Sequence, residues 1–348
     1  MARICFGVMG DARGHISRAL TIARELPHHE FLFIGGEKVR ILKDKGYRVE
    51  QVPTAPTIIR NNRVDIAATL AHGVVGLGRM GLAIKKAMAI IKEYDPQLIL
   101  SDYEFVTTRA ARLMGRPCVS LDNQHLLTQC RYHPPPGQAL SRYLTCFLIR
   151  YLYSSASRYL ITSFHHLPPA DPAIIEVFPP LIKPEVKELK PAIGDYALVY
   201  LRGNDYAGFT KRLKTSGRKF VIYGLGEKPP QGNLLFKKTS EEDFLADLAS
   251  CLYVITNGGH SLISEALYLG KPILCLPIHF FYEQFFNAHF LAQAGFGQYC
   301  LNSSRPENLI DSFEEHLDRY RSRIKEFNFL GNKQIAARLE ELVKYPRS

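Results

Sequence analysis

Short apolar runs alternate with longer amphipathic stretches along most of this 348-residue chain. Ile4–Val8 predicts a first strand and Ile16–Glu25 a helix. Glu30–Ile34, Arg48–Val52, Leu98–Ser101 and Cys118–Leu121 predict further strands, with a helix over Phe105–Met114. Alternation of this kind makes parallel sheets with helices on both faces. Leu70–Tyr94 predicts a long helix carrying Gly73, Gly76, Gly78 and Gly81. No strand feeds those glycines, so they mark close helix packing or a helix break, not a phosphate loop.

The pattern stops at Phe178-Pro179-Pro180 and stays irregular through Pro184 to Pro191. Proline there ends regular structure and stiffens a linker. A second series follows: strands at Ala197–Leu201, Lys219–Tyr223, Leu234–Phe236, Tyr253–Thr256 and Ile273–Leu276, and a last amphipathic helix at Lys333–Val343. The expected organisation is a Rossmann-like domain over 1–180, a linker over 181–192, a second Rossmann-like domain over 193–330 and a terminal helix over 331–348.

The most informative stretch is Ile255-Thr256-Asn257-Gly258-Gly259-His260-Ser261, running into a helix with Glu265 and then Gly270-Lys271-Pro272. A strand, a glycine turn and a helix start present free backbone N–H groups and the positive end of a helix dipole to an anion. Glu265 lies one turn in, on the side of Ser261. A carboxylate there can accept two ribose hydroxyls while the helix start holds a diphosphate, an arrangement suited to a sugar nucleotide.

At the other end of the chain, Gly7-Val8-Met9-Gly10-Asp11-Ala12-Arg13-Gly14-His15 forms the first strand-to-helix turn, where ligands bind in open α/β sheets. Imidazole titrates near neutrality, so His15 could take a proton from an attacking hydroxyl. It could equally cap its helix or touch a phosphate. Asp122-Asn123-Gln124-His125 follows a later strand and reaches the same edge. Asn123 and His125, with Gly14 and Arg18, are therefore candidate acceptor-side residues. A buried polar turn, or an ion pair for Arg18, accounts for each of them singly.

Thr256, Gly259, Glu265, Ala266, Leu267, Gly270 and Pro272 match in register the nucleotide-sugar signature of GT-B glycosyltransferases. The segment resembles the UDP-glucuronosyltransferase group and the peptidoglycan N-acetylglucosaminyltransferase. Asn257 stands where the signature has His, Glu283 stands where it has Asp before Gln284, and the loop from Pro277 to Gln284 is longer. The resemblance implies two Rossmann-like domains across a cleft, a last helix that crosses back to the first domain, and sugar transfer from a nucleotide diphosphate, UDP first among the choices. It implies a donor site at Gly203, Asn257, Gly258, Gly259, His260, Ser261, Glu265, Glu283 and Gln284, with Arg202 near the diphosphate and Glu283 and Gln284 in a loop against the sugar. It also implies that His15 is the base of an inverting transfer and that Asp102, at the end of Leu98-Ile99-Leu100-Ser101-Asp102, orients it; Asp102 as a mere helix cap is the alternative. Asp-x-Asp is absent, which fits transfer without a metal or other cofactor. The run Gly14-His15-Ile16-Ser17-Arg18 also resembles a sugar-nucleotide hydrolase, so hydrolysis or 2-epimerisation is the second reading. A non-catalytic sugar-nucleotide binder is the third.

Composition changes the picture modestly. Apolar content of 46% and charged content of 22% are ordinary for a globular protein. No apolar run reaches membrane-spanning length and no signal core precedes Arg3, so the expectation is a cytoplasmic protein. Cysteines 5, 118, 130, 146, 251, 275 and 300 show no Cys-x-x-Cys and read as buried thiols; Cys130 with His125 and His133 is the one faint metal-ligand grouping. Net charge is +11, of which +8 falls in residues 1–180. No nucleic-acid module is visible. The basic, aromatic stretch Leu126–Tyr153, with Arg131, Tyr132, Arg142, Tyr143, Phe147, Arg150 and Tyr151, could lie on a membrane's inner face or pack against the sheet.

Overall fold

The computed structural model describes residues 1–10, 13–53, 59–60, 63–64, 66–202, 206–301 and 308–345, with 13, 59–60, 63–64, 66–79 and 207 described in backbone only. The first sheet takes β1 (Arg3–Val8), β2 (Glu30–Gly35) and β3 (Arg48–Gln51). A separate two-residue hairpin, β4 (Ile59–Arg60) and β5 (Arg63–Val64), precedes a continuous helix Ile66–Tyr94. The sheet is completed by β6 (Leu98–Asp102), β7 (Val119–Asp122), β8 (Arg158–Thr162) and β9 (Ile175–Phe178), in the order β3-β2-β1-β6-β7-β8-β9. The second sheet is built from β10 (Tyr196–Tyr200), β11 (Lys219–Tyr223), β12 (Leu234–Phe236), β13 (Val254–Thr256), β14 (Ile273–Cys275) and β15 (Gly297–Tyr299), in the order β12-β11-β10-β13-β14-β15. All pairs within both sheets are parallel. Two parallel-sheet, Rossmann-like domains in one chain make the GT-B architecture.

Parallel strands are covered on both faces, which is why they read as unbroken apolar runs. One face of the first sheet packs Ile4, Phe6 and Val8 against Ile16, Ala19 and Ile22 of the helix Arg13–Glu25. The other packs Cys5, Leu32 and Ile99 against Ala83, Ala87 and Ile91 of the long helix. Its glycines do not break that helix, and a Cβ at Gly81 would meet nothing within 4 Å, so close packing does not explain the glycine there. The helix Asn332–Lys344 sends Ile335, Leu339 and Leu342 into the same cluster as Ile16 and Ile22, so it lies on the first domain.

Each sheet reverses strand order beside its first strand, the switch point where ligands bind in open α/β folds. In the first sheet Val8 of β1 pairs with Asp102 of β6; in the second Tyr200 of β10 pairs with Thr256 of β13. Both crevices carry the residues singled out from sequence. The helix Tyr282–Gln293 then seals the domains together. Its Tyr282, Phe285, Phe286 and Phe290 share one apolar cluster with Leu126, Leu127, Ile149 and Tyr159 of the first domain. Glu283 and Gln284 are therefore in the first turn of a helix, not in a loop. The linker also has structure of its own: Pro184–Lys187 forms a helical turn with proline at its start.

Candidate functional site

His15 lies in the first turn of the helix Arg13–Glu25, directly after the β1 turn. Its Nδ1 is 2.7 Å from Asp102 Oδ1, and both side chains are buried. A buried carboxylate accepts, so the proton sits on Nδ1 and the lone pair on Nε2. Nε2 has no hydrogen-bond partner among the described residues. Tyr103 follows Asp102 with φ +49°, and its ring lies nearly parallel to the imidazole, centroids 6.2 Å apart.

Arg18, three residues after His15 on the same helix face, forks onto Asp102: Nε donates to Oδ2 at 2.7 Å and Nη2 to Oδ1 at 2.9 Å. Its Nη1 donates to Asn123 Oδ1 at 3.1 Å. Burial works against the guanidinium charge, but Asp102 outweighs it and raises the Arg18 pKa. Asn123 in turn donates to Glu283 Oε1 of the second domain at 3.0 Å, with Gln124 Nε2 at 3.5 Å. Burial pushes the Glu283 carboxyl up, against the pull of Asn123 and His15. Glu283 therefore faces the first domain.

His125 does not reach the cleft edge as the sequence suggested. It is 1% exposed, its Nδ1 is 2.7 Å from Asp122 Oδ2, and its ring sits between Tyr103 and Tyr159. Asp122 also accepts from the His125 backbone N–H and from Ser120 Oγ. Burial opposes this charge, and His125 more than compensates, holding Asp122 well below the usual carboxylate range. The residue is a buried turn-former.

Across the cleft, Gly258 adopts φ +97° with Gln284 O 2.8 Å from where a Cβ would stand, so only glycine fits the turn. Gly259 begins the helix His260–Tyr268 with no side-chain cap, leaving its first N–H groups for a ligand. His260 is 7% exposed, and its Nε2 has no partner among the described residues. Burial, with Arg18 behind it, pushes the His260 pKa well down, so the ring is neutral. Asn257 spends its side chain on protein: Oδ1 accepts from Arg202 N at 2.7 Å, and Nδ2 donates to Tyr206 Oη and Leu276 O. Any donor contact from Asn257 would be made by its backbone. Gln284 is likewise turned inward, accepting from Ile278 N at 3.1 Å. Gly203 lies outside the described residues.

Gly14, Ser17, Arg18, His260, Ser261 and Glu265 line one cleft between the domains, joined by Lys183 from the linker. Lys183 Nζ is 3.8 Å from Glu265 and 2.8 Å from Glu241. Burial pushes Glu265 up to about 6, with Lys183 pulling the other way. Sequence reasoning missed Lys183, because nothing marks one linker lysine among others. The three-residue spacing puts Arg18 on the His15 face of its helix, but nothing in the sequence marks Asp102 as its partner.

Among the described residues one group is close enough to hold a metal: His28, His29 and Glu340. His29 Nδ1 accepts from Ala2 N at 3.1 Å, which puts its proton on Nε2, facing Glu340. A ring so fixed is a donor, not a ligand. Cys130, His125 and His133 are not brought together.

A family model described as "Glycosyl transferase family 1" matches residues 2–317. An uncharacterized glycosyltransferase of Methanosarcina mazei is 26% identical, covering 95% of this chain and 94% of that one. One from Methanosarcina acetivorans is 22% identical over 97% and 98%. Among solved structures, the calicheamicin glycosyltransferase CalG4 aligns with a TM-score of 0.69 at 17% identity over 100% of both chains. Acinetobacter baumannii MurG aligns with a TM-score of 0.62 at 16% identity, over 98% and 100%. Phytolacca americana UGT2, solved with UDP-2fluoro-glucose and pterostilbene, gives 0.69 at 14% identity over 99% and 98%.

Proposed function

We propose that this chain, which belongs to glycosyl transferase family 1 and has the GT-B fold, transfers a sugar from a UDP-type nucleotide donor to a hydroxyl acceptor with inversion. The observation that carries the reading is the facing pair: the His15–Asp102 dyad on one side, the uncapped start of the helix His260–Tyr268 on the other. His15 Nε2 would take the acceptor's hydroxyl proton as that oxygen attacks the anomeric carbon. The bond from that carbon to the diphosphate oxygen breaks with its electron pair. The charge appearing on the diphosphate meets backbone N–H groups at Gly259–Ser261, the helix dipole, and the free His260 Nε2. Asp102 holds the imidazole tautomer and offsets the imidazolium that forms. Glu265 would accept the ribose hydroxyls, and Glu283 would face the donor sugar. These groups stabilise the leaving charge without a metal ion.

UDP is favoured because structurally similar proteins were solved with UDP-glucose or its fluoro analogue. An exposed stripe on the helix Ala139–Leu148 and the turn after it favours an acceptor met at a membrane surface: Leu140, Tyr143, Phe147 and Tyr151 are 60, 65, 45 and 62% exposed. Arg142 and Arg150 flank that stripe and suit anionic headgroups. No described helix is long and apolar enough to cross a membrane.

The test is calorimetric titration of the purified protein with UDP, TDP, GDP and CMP in chelator. Selective binding of UDP supports the donor site as read, and UDP-sugars then enter transfer and hydrolysis assays. Binding of none overturns the Gly258–Glu265 assignment. Free-sugar release at catalytic rates without acceptor favours hydrolysis over transfer.

A further inference from the structure

We propose that Arg18 is a positioning residue for the base: it fixes and neutralises the Asp102 carboxylate behind His15 and ties that pair to the second domain through Asn123. The inference rests on His15 as the base. Three contacts from one guanidinium make the case. Nε and Nη2 take both oxygens of Asp102, while Nη1 reaches Asn123 Oδ1. Asp102 Oδ1 is therefore shared by Arg18 and the His15 Nδ1 proton. An unpaired buried carboxylate would hold an imidazolium strongly and leave the base protonated before the acceptor arrives. A paired one orients the ring and releases that hold. The planar fork explains the residue type, since an ammonium is a point charge that cannot span both oxygens and Asn123.

The chain of contacts continues. Asn123 Nδ2 donates to Glu283 Oε1, so five side chains run from His15 through Asp102, Arg18 and Asn123 to the helix proposed to meet the donor sugar. Seating of a sugar against Glu283 would be felt at Asp102. The groups facing Arg18 and His15 are Asp102 and Tyr103 after β6, Asp122 and Asn123 after β7, Glu283 from the second domain, and neutral His260 opposite. Asp122 is paired with His125. Arg18 is thus the cation beside both His15 and Asp102, its Nη2 3.1 Å from His15 Nδ1 and 2.9 Å from Asp102 Oδ1.

The experiment is an NMR pH titration of the His15 ring, assigned with His15→Gln, in the unsubstituted protein and in Arg18→Met, Arg18→Gln and Arg18→Lys. UDP calorimetry and thermal unfolding run alongside. Losing the cation should move the His15 midpoint up by about one unit in the Met and Gln variants. Arg18→Lys keeps the charge and should leave the midpoint near its starting value while transfer falls. If Arg18→Met does not fold, Arg18→Gln, which keeps an amide donor to Asp102, carries the measurement. An unmoved midpoint in the neutral variants, or an equal shift with lysine, overturns the proposal. The titration reads this coupling whether or not His15 is the base. Failure of the base assignment shows separately, as transfer that survives His15→Ala.

Discussion

Gly14 and Ser261 meet across the cleft: a Cβ on residue 14 would stand 2.8 Å from Ser261 Oγ. The two helix starts that bear the proposed base and the proposed diphosphate cradle can approach this closely because residue 14 has no side chain. Gly14→Ala should cost little, since Ser261 Oγ can rotate away. Gly14→Val should hold the domains apart and lower transfer by about tenfold or more with a nearly unchanged melting temperature. Steady-state kinetics beside thermal unfolding measures both, and a Val variant with full activity would show that catalysis needs no such approach.

His15→Ala should lower transfer by about 10²–10⁴-fold, the usual contribution of a positioned acid or base. UDP affinity should not change, because His15 lies across the cleft from the helix His260–Tyr268. Calorimetry and an initial-rate assay separate the two effects. Transfer that survives would return His15 to the role of helix cap.

Burial pushes Glu265 up to about 6. Below that pH the group is protonated, and above it the carboxylate can accept ribose hydroxyls. Nucleotide affinity should therefore be full near pH 7.5 and fall as pH drops through about 6. Glu265→Gln should bind weakly at every pH and lose this dependence. Lys183→Met removes the cation that opposes the rise and should move the fall to higher pH. A flat profile in the unsubstituted protein would remove Glu265 from the ribose.

Asn257→Ala should destabilise the second domain by about 2–3 kcal/mol, because it strips partners from the buried Leu276 carbonyl and the Arg202 N–H. Asn257→His, the residue of the related signature, should not restore stability. Imidazole has one acceptor and one donor where the amide here serves one donor and two acceptors. Urea denaturation reads both variants.

Tyr143→Asp with Phe147→Asp should abolish co-sedimentation with phosphatidylglycerol vesicles while leaving UDP binding intact, since both rings are exposed and neither lines the proposed donor site. Vesicle binding unaffected by the pair would place the contact elsewhere.

The two switch points were legible because each depends on local pattern: an apolar run, a glycine turn and an amphipathic helix, as at Ile255-Thr256-Asn257-Gly258. The strands β8, β9 and β15 were not. β15 is three residues long and opens on Gly297, and β9 runs straight into Pro179. Glycine and proline at the ends of β15 and β9 hide the strand pattern there. The resemblance implied a loop from Pro277 to Gln284, yet from Tyr282 the chain is already in the helix whose rings fill the seam between domains. Arg18 and Asp102 are 84 residues apart, and Asn123 and Glu283 are 160. Such pairings come from tertiary closure, not from any spacing along the chain. His125 misled for a related reason: Asp122, three residues back, captures its ring and turns it into the interior.

The placement of the helix Asn332–Lys344 bears on how the protein is made. Synthesis releases the first sheet early, but Ile335, Leu339 and Leu342 close its apolar face beside Ile16 and Ile22. A nascent chain therefore carries that face uncovered while the entire second domain emerges. The helix that bears His15 gains its full packing only after residue 342 has left the ribosome, so an interrupted chain would be both inactive and prone to aggregate.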